Sequence, residues 1–192
     1  MHRSLCAAAL AALLATPAAA VPVQWSGNGH WYEYIDQVTL FENARGFALA
    51  STCTTCGGVP LSGYLATVTS AEENAFLLTL NGDGFLGGSD AATEGVWTWL
   101  DGPEAGDVFW NGGTGGSSPT YASWNSNEPN NLGDEDVIHI NGGNWNDLQS
   151  IATRGYFVEY SAEGVSDVPL PAAAPLMLLG LAGLGVAARR KG

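Results

Sequence analysis

The 192-residue chain carries 19 acidic side chains against six basic ones, and 46% of it is hydrophobic. That length holds one ordinary domain plus terminal signals. All of the acid lies between Glu33 and Asp167, where only Arg45 and Arg154 oppose the 19 carboxylates, leaving a net charge of −17; this excludes nucleic acid as a partner, since phosphate binding needs clustered Lys and Arg. Such an excess of acid repels itself in a compact fold unless cations neutralise part of it.

Residues 1–20 open with His2 and Arg3, continue in an apolar run from Leu5 to Leu14 and end in Ala18-Ala19-Ala20. That is the three-part build of a secretory signal, with a mature chain starting near Val21 and Cys6 lost with the leader. Next, His30 to Ile35 alternates large and polar side chains, which predicts a half-buried strand. Thr39 to Ser51 suits a helix that buries Phe41, Ala44 and Ala48. Leu65-Ala66-Thr67-Val68 reads as a short strand. Ser70-Ala71-Glu72-Glu73 forms a capping box at the head of a second helix, which runs to about Leu80 and buries Ala71, Phe76 and Leu77.

Between the helices stand Cys53 and Cys56, the two cysteines left after the leader is removed. In an exported protein they read as a local disulfide. A zinc site needs two further ligands, and neither His30 nor His139 has the spacing to complete a set of four. A redox-active Cys-x-x-C pair opens a helix, whereas Gly57-Gly58-Val59-Pro60 follows here.

From Asn81 to Asn146 the chain is dense in Gly, Asn, Asp, Ser and Trp. Phe85-Leu86-Gly87-Gly88 and Val96 to Leu100 read as short strands, and Gly102 to Thr120 as loop. Val137 to Ile140 and Tyr156 to Tyr160 are the last predicted strands. Two helices early, short strands late and a long irregular middle predict an α+β domain, and so long a loop in a compact domain is usually functional.

That loop region gathers Glu128-Pro129-Asn130, Glu135-Asp136 and Trp145-Asn146-Asp147. These three runs alone bring six side chains ending in carboxylate or carboxamide oxygens within twenty residues, with no thiolate or imidazole among the six. Hard oxygen donors on loops are what a calcium ion selects. The same carboxylates, Glu128 and Glu135 for instance, could be the acid pair of a glycoside hydrolase. That chemistry needs one of them protonated, and a calcium ion holds both ionised, so the reading is of a binding protein and not an enzyme. Trp145 reads as a core anchor for the adjacent Asn-Asp pair. Trp110, Tyr121 and Trp124 are open to core filling or sugar stacking. Glu104 and Asp107 read as solvated loop charges, and His139 as a satisfied strand residue.

These landmarks recur in order, from Gly63-Tyr64-Leu65-Ala66-Thr67-Val68 through Phe85-Leu86-Gly87-Gly88, Trp97-Thr98-Trp99, Trp124 and Glu128-Pro129-Asn130 to Trp145-Asn146-Asp147. Together they resemble a C-type lectin-like domain with its core over residues 28–161, within a domain of residues 21–167. The resemblance implies the C-type lectin-like fold, with two helices, short antiparallel strands and a long calcium-binding loop region. It implies a principal Ca2+ and glycan site of Glu128, Asn130, Glu135, Asn146 and Asp147, with a cis peptide before Pro129. Three carboxylates on a divalent ion leave a net −1, so neutral sugar hydroxyls complete the shell. Glu-Pro-Asn resembles the mannose-type version of the site, against Gln-Pro-Asp in the galactose-type. An auxiliary Ca2+ site is implied at Asp90, Glu94, Asn131, Glu135 and Asp136; Asn131 stands where an Asp often serves, and Asp134 is near enough in sequence to compensate. Val137 and Val158 stand where the family often has cysteines, so apolar packing by Trp31, Trp97, Trp99 and Val158 has to replace those bridges. A protein-binding or structural surface module is the alternative use of such a fold.

At the C-terminus, Val168-Pro169-Leu170-Pro171-Ala172 leads into an apolar stretch ending at Ala188, and Arg189-Arg190-Lys191 follows. Residues 168–188 are about long enough to cross a bilayer as a helix, with the basic tip on the cytoplasmic side. Short motif, single span and basic tip, over residues 168–192, resemble the PEP-CTERM sorting signals of Gram-negative bacteria. That implies an exosortase-type partner and display at the cell surface or in an extracellular matrix, with exopolysaccharide or other glycans as ligands. A plain membrane tail anchor is the alternative.

Overall fold

The structure is a computed structural model that describes residues 21–80 and 82–162. The expected leader, Cys6 and the segment 168–192 lie outside the described residues. Among the described residues no helix is long and apolar enough to cross a membrane.

Strands β1 (Val23–Gln24) and β2 (Trp31–Leu40) form the first antiparallel pair, and β2 runs five residues beyond the predicted Ile35. Helix α1 (Phe41–Ala50) follows directly and buries Phe41, Ala44 and Ala48, as their helical spacing predicts. It has no side-chain N-cap, and it stops at Ser51, whose N–H and hydroxyl both donate to the Ala48 carbonyl. A two-residue β3 (Thr52–Cys53) leads to the Cys53–Cys56 disulfide, which is formed, with Cα atoms 5.5 Å apart.

The strand predicted at Leu65–Val68 sits earlier, as β4 (Leu61–Leu65). Ala66 leaves the ladder, donating to Phe157 O and accepting from Gly87 N. Helix α2 (Ala71–Leu78) is capped by Ser70, whose hydroxyl accepts from Glu73 N. The reciprocal half of the capping box is not made. Glu73 is buried, and its Oε2 accepts from Thr69 N and Oγ1 while Oε1 accepts from the Tyr32 hydroxyl. The buried face of α2 is accordingly Glu73, Asn74 and Leu77; Ala71 is exposed and Phe76 half-buried.

The remaining strands are β5 (Gly84–Ser89), β6 (Val96–Trp99), β7 (Val108–Asn111), β8 (Val137–Asn141), β9 (Asn144–Leu148) and β10 (Thr153–Ser161). Of these, β7 lies inside the stretch predicted as loop, and β9 puts Trp145, Asn146 and Asp147 on a strand. The long-range order is β1-β2-β10-β5-β6-β7, with β4 also on β10, and β8 on β5 followed by β9. Pairing is antiparallel except between β10 and β5, so the sheet is mixed and not purely antiparallel.

Two core clusters hold these layers together. Under the long loop, Trp99, Phe109 and Trp145 pack edge to face or stacked, with Trp99 and Phe109 centroids 4.2 Å apart, and Trp97 lies tilted against Phe109. Beneath α1, Val137 and Val158 pack with Phe41, Ala44, Ala48 and the disulfide sulfurs. Apolar contact thus occupies the positions expected to lack cystine bridges, and Trp31 packs on the edge of that second cluster.

Candidate functional site

The β8–β9 hairpin fixes one wall of the site. Val137 pairs with Leu148 and Ile138 with Asp147. Alternation along β9 turns Trp145 and Asp147 inward, both with no exposed surface. Trp145 donates from Nε1 to Asn74 Oδ1 at 2.8 Å, so α2 anchors the strand. Asn146, between them, lies with its amide against the main-chain carbonyl of Asp147.

The opposing wall is the irregular segment between β7 and β8. The Glu128–Pro129 peptide is cis, and Asn127, Asn131 and Asp134 all have positive φ. Asn130 Oδ1 accepts from Leu132 N at 2.8 Å, and Glu135 Oε2 accepts from the same N–H at 3.0 Å. Asn131 N donates to Asp147 Oδ2 at 2.7 Å, tying loop to strand.

Three carboxylates meet here. Burial first, and then the neighbouring Asp147 carboxyl and the charge of Glu135, push the Glu128 carboxyl up to about 7, with Asn130 acting the other way. Burial first, and then Asp147, raise Glu135 as well. Glu128 Oε2 and Asp147 Oδ1 are buried with no hydrogen-bond partner. Buried carboxylate oxygens left without a hydrogen-bond partner are unfavourable unless a cation neutralises them. The principal set of Glu128, Asn130, Glu135, Asn146 and Asp147 offers carboxylate, amide and carbonyl oxygens only, which fits calcium.

The auxiliary residues gather around Asn131. Its Nδ2 donates to Glu94 Oε1 at 2.8 Å and its Oδ1 accepts from Glu135 N at 2.7 Å. Oxygens of Glu94, Asp134 and Asp136 lie within 4.8 Å of one another. Asp90 is buried; its Oδ2 accepts from Gly95 N at 2.9 Å and its Oδ1 has no partner. Burial, followed by the charges of Glu94 and Asp136, raises it to about 6. Glu135 turns its carboxylate toward Leu132 and Asp147, and Asp134 is the third acid beside Glu94 and Asp136.

The other candidates divide. Trp110, Tyr121 and Trp124 are half-buried against the first core cluster, with Tyr121 and Trp145 centroids 5.6 Å apart. Glu104 is no free loop charge, since it accepts from the Thr67 hydroxyl at 2.8 Å, while Asp107 is exposed. His139 lies on β8, buried, with Nδ1 unpartnered, so it is not the satisfied residue expected. Burial lowers its pKa to about 4 and it is neutral at pH 7. Sequence gave no sign of the Asn131 N–H as the tie to Asp147, because a backbone donor carries no residue identity.

A family model described as the lectin C-type domain matches residues 49–157. The chain belongs to the C-type lectin domain family. A second model, the PEP-CTERM protein-sorting motif, matches residues 167–191, which implies export. This C-type lectin domain is 38% identical over 138 residues to halomucin of Haloquadratum walsbyi, covering 69% of this chain and 1% of halomucin. It is 34% identical over 128 residues to C-type lectin domain family 4 member F of Mus musculus, covering 63% of this chain and 20% of that protein. With the alpha-N-acetylgalactosamine-specific lectin of Patiria pectinifera it shares 31% identity over 140 residues, 70% of this chain and 76% of that one. Among solved structures, an EPNH mutant of CEL-I superposes with a TM-score of 0.55 at 27% identity, covering 73% of this chain and 96% of that one. CEL-I itself, from Cucumaria echinata, gives 0.53 at 25%, covering 73% and 97%. CEL-I and the Patiria pectinifera protein are named as lectins, and the C-type lectin family to which this domain belongs is one of carbohydrate-binding proteins rather than enzymes.

Proposed function

We propose that the chain is an exported calcium-dependent carbohydrate-binding protein of mannose type, acting in surface adhesion or in cohesion of an exopolysaccharide matrix. Its organisation is a leader of residues 1–20, a lectin domain of residues 21–167 and a sorting segment of residues 168–192. The observation that carries this reading is the pair of buried, unpartnered oxygens Glu128 Oε2 and Asp147 Oδ1, set among Asn130, Glu135 and Asn146.

Calcium, when bound, offers six to eight positions for oxygen, more than five side chains fill. Glu128, Asn130, Glu135, Asn146 and Asp147 would hold it. The carboxylates of Glu128 and Glu135 accept hydrogen bonds from sugar hydroxyls, and the amides of Asn130 and Asn146 donate to them. A carboxylate first and an amide second in Glu128-Pro129-Asn130 selects sugars whose vicinal hydroxyls match mannose, glucose, N-acetylglucosamine or fucose. One such site binds weakly, and display of many copies on a surface raises the avidity. The two ends of the described domain lie one strand apart, since Gln24 and Tyr160 pair with Trp31 from opposite sides of β2. A membrane segment or an exosortase-type enzyme would therefore hold the domain at one pole.

Calorimetric titration of the purified protein with calcium, followed by a glycan array with and without chelator, tests the reading. Saturable calcium uptake and chelator-sensitive binding to mannose-type sugars are expected. Glycan binding that ignores chelator, or no calcium uptake, would sink it.

A further inference from the structure

The run Gly112-Gly113-Thr114-Gly115-Gly116 lies between β7 and the ligand-bearing turn and supplies no candidate ligand. It is nonetheless built in on three sides. At its base Asn111 and Ser117 exchange backbone hydrogen bonds, both 2.9 Å long. On one flank Gly112 N donates to Gly95 O at 2.7 Å, beside Glu94, and Trp110 Nε1 donates to Gly112 O at 2.9 Å. On the other flank the Thr114 hydroxyl lies 2.8 Å from Asn127 O and 3.2 Å from Pro129 O, shared between the two carbonyls that bracket Glu128. Glycine is required for this path. Gly112 has φ +101, and a Cβ on Gly116 would stand 2.2 Å from Asn111 O.

The segment held this way needs holding. Residues 127–131 belong to no helix or strand, so no ladder fixes them. The tie from Asn131 N to Asp147 uses an oxygen of a candidate ligand and weakens if that carboxylate turns toward a cation. The Thr114 contacts use main-chain carbonyls and leave every candidate side-chain oxygen free.

We infer that Thr114, presented by the Gly112–Gly116 strap, is a positioning residue that holds Glu128 and Asn130 in their ligand-binding arrangement before any cation arrives. The inference rests on the reading of Glu128 and Asn130 as cation ligands. It adds that part of the affinity comes from order imposed by a strap that supplies no candidate ligand, although Gly112 and Gly113 line the same cavity as Asp90, Glu94, Asn131 and Asp147.

Thr114→Val removes the hydroxyl at nearly constant shape, and Thr114→Ser keeps it. With purified wild-type and variant proteins, calcium is titrated calorimetrically, and amide hydrogen exchange at Asn131 and Leu132 is followed without calcium. Loss of one hydrogen bond predicts roughly three- to tenfold weaker calcium binding for Thr114→Val. It also predicts faster exchange at both amides, with Thr114→Ser restoring both. Tryptophan fluorescence reports folding throughout. Wild-type affinity and exchange in Thr114→Val would overturn the inference, and so would a Thr114→Ser protein as impaired as Thr114→Val. If no protein binds calcium while exchange still rises in Thr114→Val alone, the strap stands and the cation reading falls.

Discussion

Asp147 accepts the backbone N–H of Asn131 on one carboxylate oxygen and leaves the other buried without a partner. The first contact fixes where the loop meets β9. The second leaves a charge facing Glu128, which only a cation or a shared proton relieves. Asp147→Asn keeps the shape and the acceptor for Asn131 but removes the charge. Calcium affinity should fall at least about tenfold, because affinity in such sites follows the ligand charge count. The ion-free protein should melt at a higher temperature, since repulsion of Glu128 is gone. Calorimetric titration and thermal melts check the two halves, and unchanged calcium uptake would remove Asp147 from the ligand set.

The pH dependence follows from the same repulsion. Without a cation, Glu128 is raised to about 7 and Asp90 to about 6, in each case chiefly by burial. Their unfolded values lie near 4. A folded value above the unfolded one gives stability that is complete below about pH 4 and is lost as pH rises through about 6 to 7. The loss from these two groups in the chelated protein should therefore fall between about pH 4 and 7, opposed below about pH 6 by buried His139, whose lowered pKa acts the other way. Calcium needs both groups ionised, so the rise in melting temperature on adding calcium should grow over the same interval. Melts with chelator and with calcium across that range decide the matter, and parallel curves would contradict it.

Sequence carried the site further than it carried the boundaries of the elements around it. The triplets at 128–130 and 145–147 were legible because chemistry is written in side chains: carboxylates, amides, and one proline that locks a turn. The stripe Phe41, Ala44, Ala48 was legible because helical spacing is a direct projection of geometry. What was lost is non-local. Glu73 has the spacing of a capping box, but the buried Tyr32 hydroxyl outcompetes the backbone N–H of Ser70 for it. Strand β9 was hidden because Asn144 to Leu148 has weak strand propensity, and its pairing to β8 through the turn at Gly142-Gly143 supplies the ladder instead. The strand β7 hid behind the glycines that follow it, although Val108-Phe109-Trp110 has the side chains of a strand.

The anchor of β9 is open to a direct test. Asn74 is buried on α2, accepts from Trp145 Nε1 at 2.8 Å and donates to Gly143 O at 3.1 Å. Asn74→Ala leaves the indole N–H buried without an acceptor and frees the hairpin turn. A loss of about 1–3 kcal/mol in unfolding free energy is expected from one unsatisfied buried donor. Because Trp145 adjoins Asn146, calcium binding should weaken too. Denaturant unfolding with and without calcium measures both, and wild-type stability in Asn74→Ala would remove Asn74 as the anchor of β9.

Sugar preference can be separated from calcium binding by exchanging two groups across Pro129. Glu128→Gln with Asn130→Asp moves the carboxylate from one side of the cis peptide to the other and keeps the charge of the site unchanged. Affinity that follows charge count should then stay within a few fold of wild type. The pattern of acceptors and donors offered to a sugar is reversed, because a carboxylate only accepts while an amide also donates. The double variant should lose mannose-type ligands and gain galactose-type ones on the glycan array, at nearly constant calcium affinity. The alpha-N-acetylgalactosamine-specific relative makes the outcome for the unmodified chain a real test. Strong binding of the wild type to terminal galactose alone would refute the assigned preference and still leave the calcium site in place.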